Sequence, residues 1–301
     1  GWSGGADSTA LLLALRQAGY QVQAWHVDHG WRDSSKHESM QLAEKCAAWG
    51  IDFRSVRLAG QASSNREAEA RKGRYAQFKQ WAQESGVTTL CLAHHLDDQA
   101  ETVCMRLLQG AGPGGCRGMR RERQMGELRI VRPLLHVSAQ DLRQTLRQAG
   151  IDWFEDPSNA DMSIWRNRIR QQLFPGMEKA GVSPAELFLR WQKQADDVAK
   201  KLDQATLPAL HDLIQSEQYG ICLPWQTWTD CSPAIRARLL QQCMARLLGE
   251  GVTPGRRHIE LVELWTEKSG RGGLDLSRCR LYKERDHLHL KPVTSGFARK
   301  P

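Results

Sequence analysis

Ser3-Gly4-Gly5-Ala6-Asp7-Ser8-Thr9 stands directly before an apolar stretch, and its residue types suit the binding of an anion. Two adjacent glycines adopt backbone angles that other residues avoid, so the chain can turn tightly and bring N–H groups against a phosphate. A helix opening just after adds its unpaired N–H groups and the positive end of its dipole. Ser3, Ser8 and Thr9 supply hydroxyl donors, and Asp7 is the natural partner for Mg²⁺. No lysine stands where a GxxxxGK[ST] loop would grip the outer phosphates, so this is a phosphate loop of another kind.

Further groups recur along the chain. Trp25-His26-Val27-Asp28-His29-Gly30 closes a strand-like run, where a wound sheet presents its ligand-binding groups. Arg71 and Arg74, within Glu67-Ala68-Glu69-Ala70-Arg71-Lys72-Gly73-Arg74-Tyr75, share one helix face. Ala93-His94-His95-Leu96-Asp97-Asp98-Gln99-Ala100-Glu101-Thr102 spans a strand end and a helix start. Asp98 and Glu101 lie on one face there and suit the clamping of an ammonium group; capping and the helix dipole account for one of the two aspartates. Glu155-Asp156-Pro157-Ser158-Asn159 precedes Arg166-Asn167-Arg168-Ile169-Arg170 and Pro175, with Arg132-Pro133-Leu134-Leu135 upstream. Arg117, Arg120, Arg121, Arg123, Arg129 and Arg132, set against Glu122 and Glu127, follow the glycine-rich residues 110–115. This stretch reads as a flexible loop at the sheet's mouth and, in preference to a merely solvated one, as an arm for backbone phosphates. Trp153, Trp165, Trp191, Trp225, Trp228 and Trp265 are spread at helical spacing and read as core.

The elements that must position these groups alternate. Residues 8–18, 34–49, 67–84, 97–108 and 138–149 read as helices, and residues 22–27, 53–58 and 88–93 as strands. Ser138 and Asp141 stand at capping-box spacing. Such alternation implies right-handed βαβ units and an α/β fold with a doubly wound parallel sheet. Past Asp156 the strand signal fades, and a second, mostly helical domain is expected. The expected division is a nucleotide-binding catalytic domain over residues 1–183, a helical connector over 184–204, a mostly helical domain over 205–292 and a tail over 293–301. Two strand-like runs, 274–276 and 288–290, are split by Lys283-Glu284-Arg285-Asp286.

Composition narrows the setting. Among 301 residues, 42 Lys+Arg against 34 Asp+Glu give a net +8, which suits a polyanionic partner without demanding one. No apolar run approaches the ~18 residues of a membrane span, and no secretory signal is visible at the start of the sequence. The chain opens Gly1-Trp2-Ser3, so the strand expected to lead into the loop is cut short. Eight cysteines form no CxxC and no zinc spacing with histidine; they read as reduced, buried thiols of a cytoplasmic protein. Oligomeric state stays open, a homodimer included.

The loop resembles that of the PP-loop ATP pyrophosphatases. Taken in order over residues 1 to about 176, the motifs together resemble the tRNA(Ile)-lysidine synthetases. That resemblance implies a carbon–nitrogen ligase that activates C2 of cytidine 34, in the CAU anticodon of isoleucine tRNA, with ATP and releases pyrophosphate. The ε-amine of L-lysine then displaces AMP to give lysidine. It implies that Ser3, Gly4, Gly5, Ala6, Asp7, Ser8 and Thr9 hold the phosphates, with Mg²⁺ on Asp7, and that His26, Val27 and His29 lie by the adenosine. Asp98 and Glu101 would fix the lysine, and His94 or His95 would line the cytidine and adenylate site. Arg71, Arg74 and Arg170 would meet phosphate or developing charge. Arg74, Arg117, Arg120, Arg121, Arg123, Arg166, Arg168 and Arg170 would face the tRNA. No general base is singled out. The sequence departs from the family pattern in its short first strand and in showing no second C-terminal domain of the kind many bacterial members carry, so it is expected to be either a short form or one whose tail was lost. Competing readings are another PP-loop tRNA-modifying or amide-forming enzyme, and a non-catalytic nucleotide- or tRNA-binding module. Thiolating relatives need paired cysteines, and amide-forming ones usually carry a glutaminase; neither is visible in this sequence.

Overall fold

The computed structural model describes residues 1–30, 35–58, 66–155, 161–216, 220–249, 252–276 and 278–293. They form two compact units, Gly1–Met105 with Gly118–Gln192, and Arg106–Arg117 with Lys193–Pro301.

In the first unit helices and strands alternate: α1 (Ala6–Gln17), β1 (Gln23–Asp28), α2 (Ser35–Ala48), β2 (Asp52–Arg57), α3 (Arg66–Ser85), β3 (Thr89–Cys91) and α4 (Leu96–Leu108). An antiparallel hairpin, β4 (Glu122–Met125) and β5 (Leu128–Val131), follows, and then α5 (Ala139–Gln148) with Ser138 as its N-cap. The helix α6 (Trp165–Arg168) runs through a π-turn (Ile169–Leu173) into α7 (Phe174–Lys179). The fold is mixed α/β. β1 pairs parallel with β2, and β3 parallel with β5, in small sheets of two and three strands. Gly1 and Trp2 hydrogen-bond to both sheets: the Gly1 nitrogen donates to Cys91 O at 3.0 Å and the Trp2 N–H to Trp25 O at 2.8 Å.

Alternation along β1 decides where the core sits. Ala24 packs with Leu12, Leu42, Cys46 and Ile51, whereas Trp25 packs with Phe78, Trp81, Leu90 and Ile130. Successive side chains of a strand point to opposite faces, so both faces of β1 are covered. Ala6 and Ala10 of α1 meet Leu142 and Leu146 of α5, small residues admitting the close approach of two helices.

The arginine-rich stretch differs from the loop expected of it. Its distal half is the β4–β5 hairpin, turned by Gly126-Glu127 with Gly126 at φ +61°. A two-residue connection with glycine first matches the twist of paired strands.

A long helix, α8 (Pro184–His211), straddles the two units. The second unit continues with β6 (Ile214–Ser216), β7 (Gly220–Pro224), α9 (Trp225–Asp230), α10 (Pro233–Leu248), α11 (Arg256–Glu267), β8 (Gly273–Leu276), β9 (Cys279–Glu284) and β10 (His287–Pro292). Where the sequence suggested two strand-like runs there is a five-stranded antiparallel sheet, ordered β6-β7-β10-β9-β8. The charged tetrad taken as a separator is the end of β9 plus a tight turn, with Arg285 at φ +52°. Alternate residues of these strands, Cys279, Leu281, Leu288 and Leu290, point into one core with Trp228, Leu239, Met244 and Trp265. Trp165 and Trp191, in contrast, are exposed. All eight cysteines are free and buried or half-buried. Among the described residues no helix is long and apolar enough to cross a membrane.

Candidate functional site

The loop turns at Gly4, whose φ is +86°; a Cβ there would lie 2.7 Å from Leu42 Cδ2 and 3.0 Å from Phe154 Cδ2. The Gly4 carbonyl is anchored by the Phe154 N–H at 3.0 Å. Gly5 occupies the N-cap of α1 without a side-chain cap, and intrahelical bonding starts with the Thr9 N–H on Gly5 O. The N–H groups of Ala6, Asp7 and Ser8 therefore have no helical acceptor and are the donors an anion would meet. The hydroxyls do another job. Ser8 Oγ donates to Gly5 O at 3.1 Å, so it accepts the Ser3 N–H at 3.2 Å and the Ser3 hydroxyl at 3.0 Å. Thr9 is 1% exposed and accepts the Trp2 indole N–H at 3.0 Å, bracing the loop from below.

Asp7 projects from the first turn of α1. Its Oδ1 is buried without a partner, and Oδ2 lies 3.5 Å from His95 Nε2. Burial alone would raise its pKa, but the His95 hydrogen bond and charge, with Arg143 and Arg170, hold it below the usual carboxylate value. A charged oxygen left without a partner fits Mg²⁺, which takes one or two carboxylates plus phosphate oxygens and water. Among the described residues no group of three or more His, Cys, Asp or Glu could hold a metal, so phosphate oxygens would complete the set.

His95 is the N-cap of α4, and Asp98 in its first turn reaches back to accept the His95 N–H at 3.1 Å. Asp97 Oδ2 accepts the Ala139 N–H at 2.8 Å and so fixes the start of α5. The His95 ring is 4% exposed, with Nδ1 3.4 Å from Asp97 and Nε2 3.4 Å from Asp98. Burial opposes its charge, yet Asp7, Asp97 and Asp98 outweigh it and raise the pKa to about 10. His95 is a cationic strut between the phosphate loop and α4.

Of Asp98 and Glu101, expected to clamp an ammonium, Glu101 is closed by two guanidiniums that also reach one oxygen of Asp98. Glu101, 1% exposed, meets Arg166 Nε at 2.6 Å and Arg170 Nε at 2.6 Å. Asp98 Oδ1 meets Arg166 Nη2 at 3.1 Å and Arg170 Nη2 at 3.4 Å. Arg166 and Arg170 stand on α6 and the π-turn, whose path brings residues four apart onto one carboxylate.

A cleft of about 230 Å³ gathers the loop and these elements. Ser3, Gly5, Asp7 and Ser8 line one side; His26 and Val27 come from β1, His94 follows β3, and Asp98 comes from α4. Arg74, Tyr75 and Phe78 of α3 make another wall. His26 Nδ1 lies 3.1 Å from Trp2 O; a carbonyl only accepts, so Nδ1 carries the proton and Nε2 is left as an acceptor. Burial lowers the His26 pKa, and its ring stacks near Phe53. His94 is pushed down to about 3 by burial and then by Arg132, Arg166, Arg71 and Arg74, and its buried Nδ1 has no partner. His29, Gly4, Ala6, Thr9, His95, Glu101 and Arg71 do not line the cleft.

Sequence reasoning passed over Tyr75 as a site residue, although it follows Arg74 directly, and read Arg132 only as the end of an arginine arm for backbone phosphates. Arg132 is 4% exposed; its Nη1 donates to Arg120 O at 2.8 Å, and its Nε has no partner. Burial lowers its pKa, and Arg71 and Arg123 add to this, while Tyr75 works the other way. Arg120, Arg121 and Arg123 are exposed on and beside β4. Arg117 is not with them: it belongs to the second unit, bound to Asp196 at 2.7 Å and Asp203 at 3.1 Å. Arg168 is exposed on α6. Of the run 155–159, only Glu155 lies among the described residues; the Glu67 side chain also falls outside them.

The PP-loop domain model matches residues 1–177. The tRNA(Ile)-lysidine synthase of Chlamydia pneumoniae is 36% identical over 231 residues, covering 71% of this chain and 72% of that one. Its counterpart in Chlamydia felis is 35% identical, covering 70% and 68%. The tRNA(Ile)-lysidine synthase of Xanthomonas campestris pv. campestris is 36% identical over 261 residues, covering 81% of this chain but 56% of its own length. Among solved structures, a U34-tRNA thiolase of Methanococcus maripaludis with its [4Fe-4S] cluster superposes with a TM-score of 0.53 at 17% identity, over 65% of this chain and 70% of that one. At that identity the thiolase likeness speaks for the fold alone. The domain match and the relatives together settle the family: the chain belongs to the tRNA(Ile)-lysidine synthases.

Proposed function

We propose that this chain activates C2 of cytidine 34 in the CAU anticodon of isoleucine tRNA with ATP and then joins L-lysine to it, releasing pyrophosphate and AMP. The observation that carries this reading is a phosphate loop of unsatisfied N–H groups and an unpartnered Asp7 oxygen, in one cleft with Asp98, His94 and Arg74. The N–H groups of residues 6–8 take the phosphates. Asp7 would hold Mg²⁺, which would supply positive charge beside the phosphates. His26 offers Nε2 beside the adenosine, with Val27 and His29 near it. Ser3 and Ser8 keep the loop open to phosphate, and Thr9 supports it.

Asp98 is the acid that faces the cleft and orients the lysine ammonium; Glu101 holds Arg166 and Arg170 at the site's edge. A held nucleophile gains chiefly from proximity, and its ammonium must lose a proton before it attacks C2. His94 is neutral and offers a hydrogen bond to the base or the adenylate. His95 positions Asp7 and Asp98. Arg71 and Arg74 meet phosphate, and the exposed Arg120, Arg121, Arg123 and Arg168 meet the tRNA backbone.

The same reading joins the two small sheets, through residues 1–2, into one doubly wound parallel sheet with β4 antiparallel at its edge. Burial on both faces of β1 supports this. It divides the chain into a catalytic domain over residues 1–183, a connector over 184–204 and a tRNA-contacting domain over 205–292. The cytoplasm is its setting, where free thiols persist.

The test is AMP release with ATP, lysine and a CAU-anticodon isoleucine tRNA. Release should require both lysine and RNA, and Asp98→Asn should raise the lysine KM at least tenfold. AMP formed at the same rate without lysine or RNA would overturn the reading.

A further inference from the structure

We propose that Tyr75, braced by Arg132 and Arg71, seats a backbone phosphate of the RNA substrate on the wall of the cleft made by α3, apart from the phosphate loop. This rests on the function just proposed, because it presumes an RNA in the cleft.

Arg132 is the starting point. A guanidinium that is 4% exposed ordinarily pairs with a carboxylate, yet among the described residues none bonds to it; its side-chain hydrogen bond goes to a carbonyl, and Tyr75 nearby favours its charge. An uncompensated buried charge is costly to keep, so a negative ligand is the missing counter-charge. Arg132 lies behind the wall and does not line the cleft, so it acts through Tyr75, which does. Arg71 Nη2 donates to the Tyr75 hydroxyl at 3.4 Å, and its guanidinium carbon lies 5.0 Å from the ring centroid. With the Arg71 cation on its oxygen, the hydroxyl has its own proton to give, and no described residue accepts it. A phosphate oxygen in the cleft is the acceptor that fits.

Continuity with the hairpin selects a polynucleotide over a mononucleotide. The Arg132 side chain holds the Arg120 carbonyl at 2.8 Å, and its N–H holds the Arg121 carbonyl at 2.8 Å. From the seat, cationic side chains therefore run outward along Arg120, Arg121 and Arg123, all exposed. A row of phosphates can follow such a track, whereas one nucleotide would occupy only its inner end.

The experiment uses the full chain and the anticodon stem–loop RNA of the CAU isoleucine tRNA, titrated over a series of KCl concentrations, with ATP binding measured separately in the absence of RNA. Tyr75→Phe keeps the ring and should weaken RNA binding about 5- to 10-fold, as expected for a lost bond to a charged acceptor. Arg132→Gln should weaken it similarly and lower the salt slope by about one, and Arg132→Lys should restore the slope. ATP affinity should stay within about twofold for Tyr75→Phe, on the scale where a lost bond to phosphate would show plainly. If RNA affinity and slope are unchanged in both Tyr75→Phe and Arg132→Gln, the seat does not exist. If ATP affinity falls and RNA affinity does not, the phosphate belongs to the nucleotide and the proposal is overturned. Should Arg132→Gln fail to fold, Tyr75→Phe decides alone. Weakened RNA binding in a chain whose parent makes no lysine-dependent AMP would uphold the seat and sink the ligase reading instead.

Discussion

His94 and His95 are adjacent in sequence, yet their surroundings push their pKa values in opposite directions. His95 is ringed by Asp7, Asp97 and Asp98, whereas His94 faces Arg132, Arg166, Arg71 and Arg74. Both could be placed at a strand end from the sequence, but not their charge states, which depend on residues as distant in the chain as Asp7 and Arg166. For His94 the consequence is measurable. Its folded pKa, about 3, lies below its ordinary 6.5, so between those values the unfolded chain takes up a proton that the folded chain refuses. The contribution of this site is intact above about pH 6.5 and drains away as pH falls toward 3. Replacing His94 with Gln removes the titration and keeps a polar side chain. The stability gap between parent and variant, from urea unfolding at a series of pH values, should therefore shift against the parent by about 2–4 kcal/mol between pH 7 and 4. A gap that stays level over that interval would mean His94 is not held neutral by its surroundings. The same surroundings disqualify it as a proton donor near neutrality.

At the scale of elements, what was legible depended on how each segment meets water. Strands β1 to β3 and helices α1 to α5 carry apolar residues at the spacing of their own faces, and they could be read to within a few residues. The β4–β5 hairpin could not, because β4 is almost entirely exposed and its arginines hide the alternation; only Gly126-Glu127 marked the turn. Nor does any local pattern announce the π-turn at Ile169–Leu173, which follows Arg166 and carries Arg170, both bonded to Glu101. The phosphate loop is the opposite case, since its two glycines were visible and their unequal duties were not. Gly4 needs both φ +86° and an empty Cβ position, whereas Gly5 sits at φ −70° and its Cβ would meet nothing closer than Ser3 Oγ at 3.5 Å. Gly4→Ala should therefore cost about 1–3 kcal/mol of stability and shift the N–H groups it aligns, weakening ATP binding at least tenfold. Gly5→Ala should change stability by less than about 1 kcal/mol. Thermal unfolding and ATP titration of the two variants compare them directly, and equal effects would remove the asymmetry.

At the scale of the whole chain, each compact unit has its own core and its own internal charge ties. In the second, Asp203 takes both Arg117 and Arg238, so these two arginines are tied to an internal acid and are not offered to a polyanion. Segment 106–117 belongs to this unit although it lies far from the rest of it in sequence, and Arg117 ties it to α8 through Asp196 and Asp203. A sequence reading that divides the chain at a single connector has no means of seeing such a return. Separate cores predict separate melting. Scanning calorimetry of the intact chain should show two transitions, since cooperativity follows shared packing. ATP with Mg²⁺ at a hundred times its Kd should raise one of them by the equivalent of about 2.7 kcal/mol and leave the other in place. Leu239, fully buried in the second core, gives the complementary perturbation. Leu239→Ala should lower the ATP-insensitive transition, by about 2–5 kcal/mol at its midpoint, with ATP affinity at 25 °C unaltered. One transition that responds to both ATP and Leu239→Ala would instead mean that the two cores melt as a single cooperative body, and the nucleotide site would then draw on packing throughout the chain.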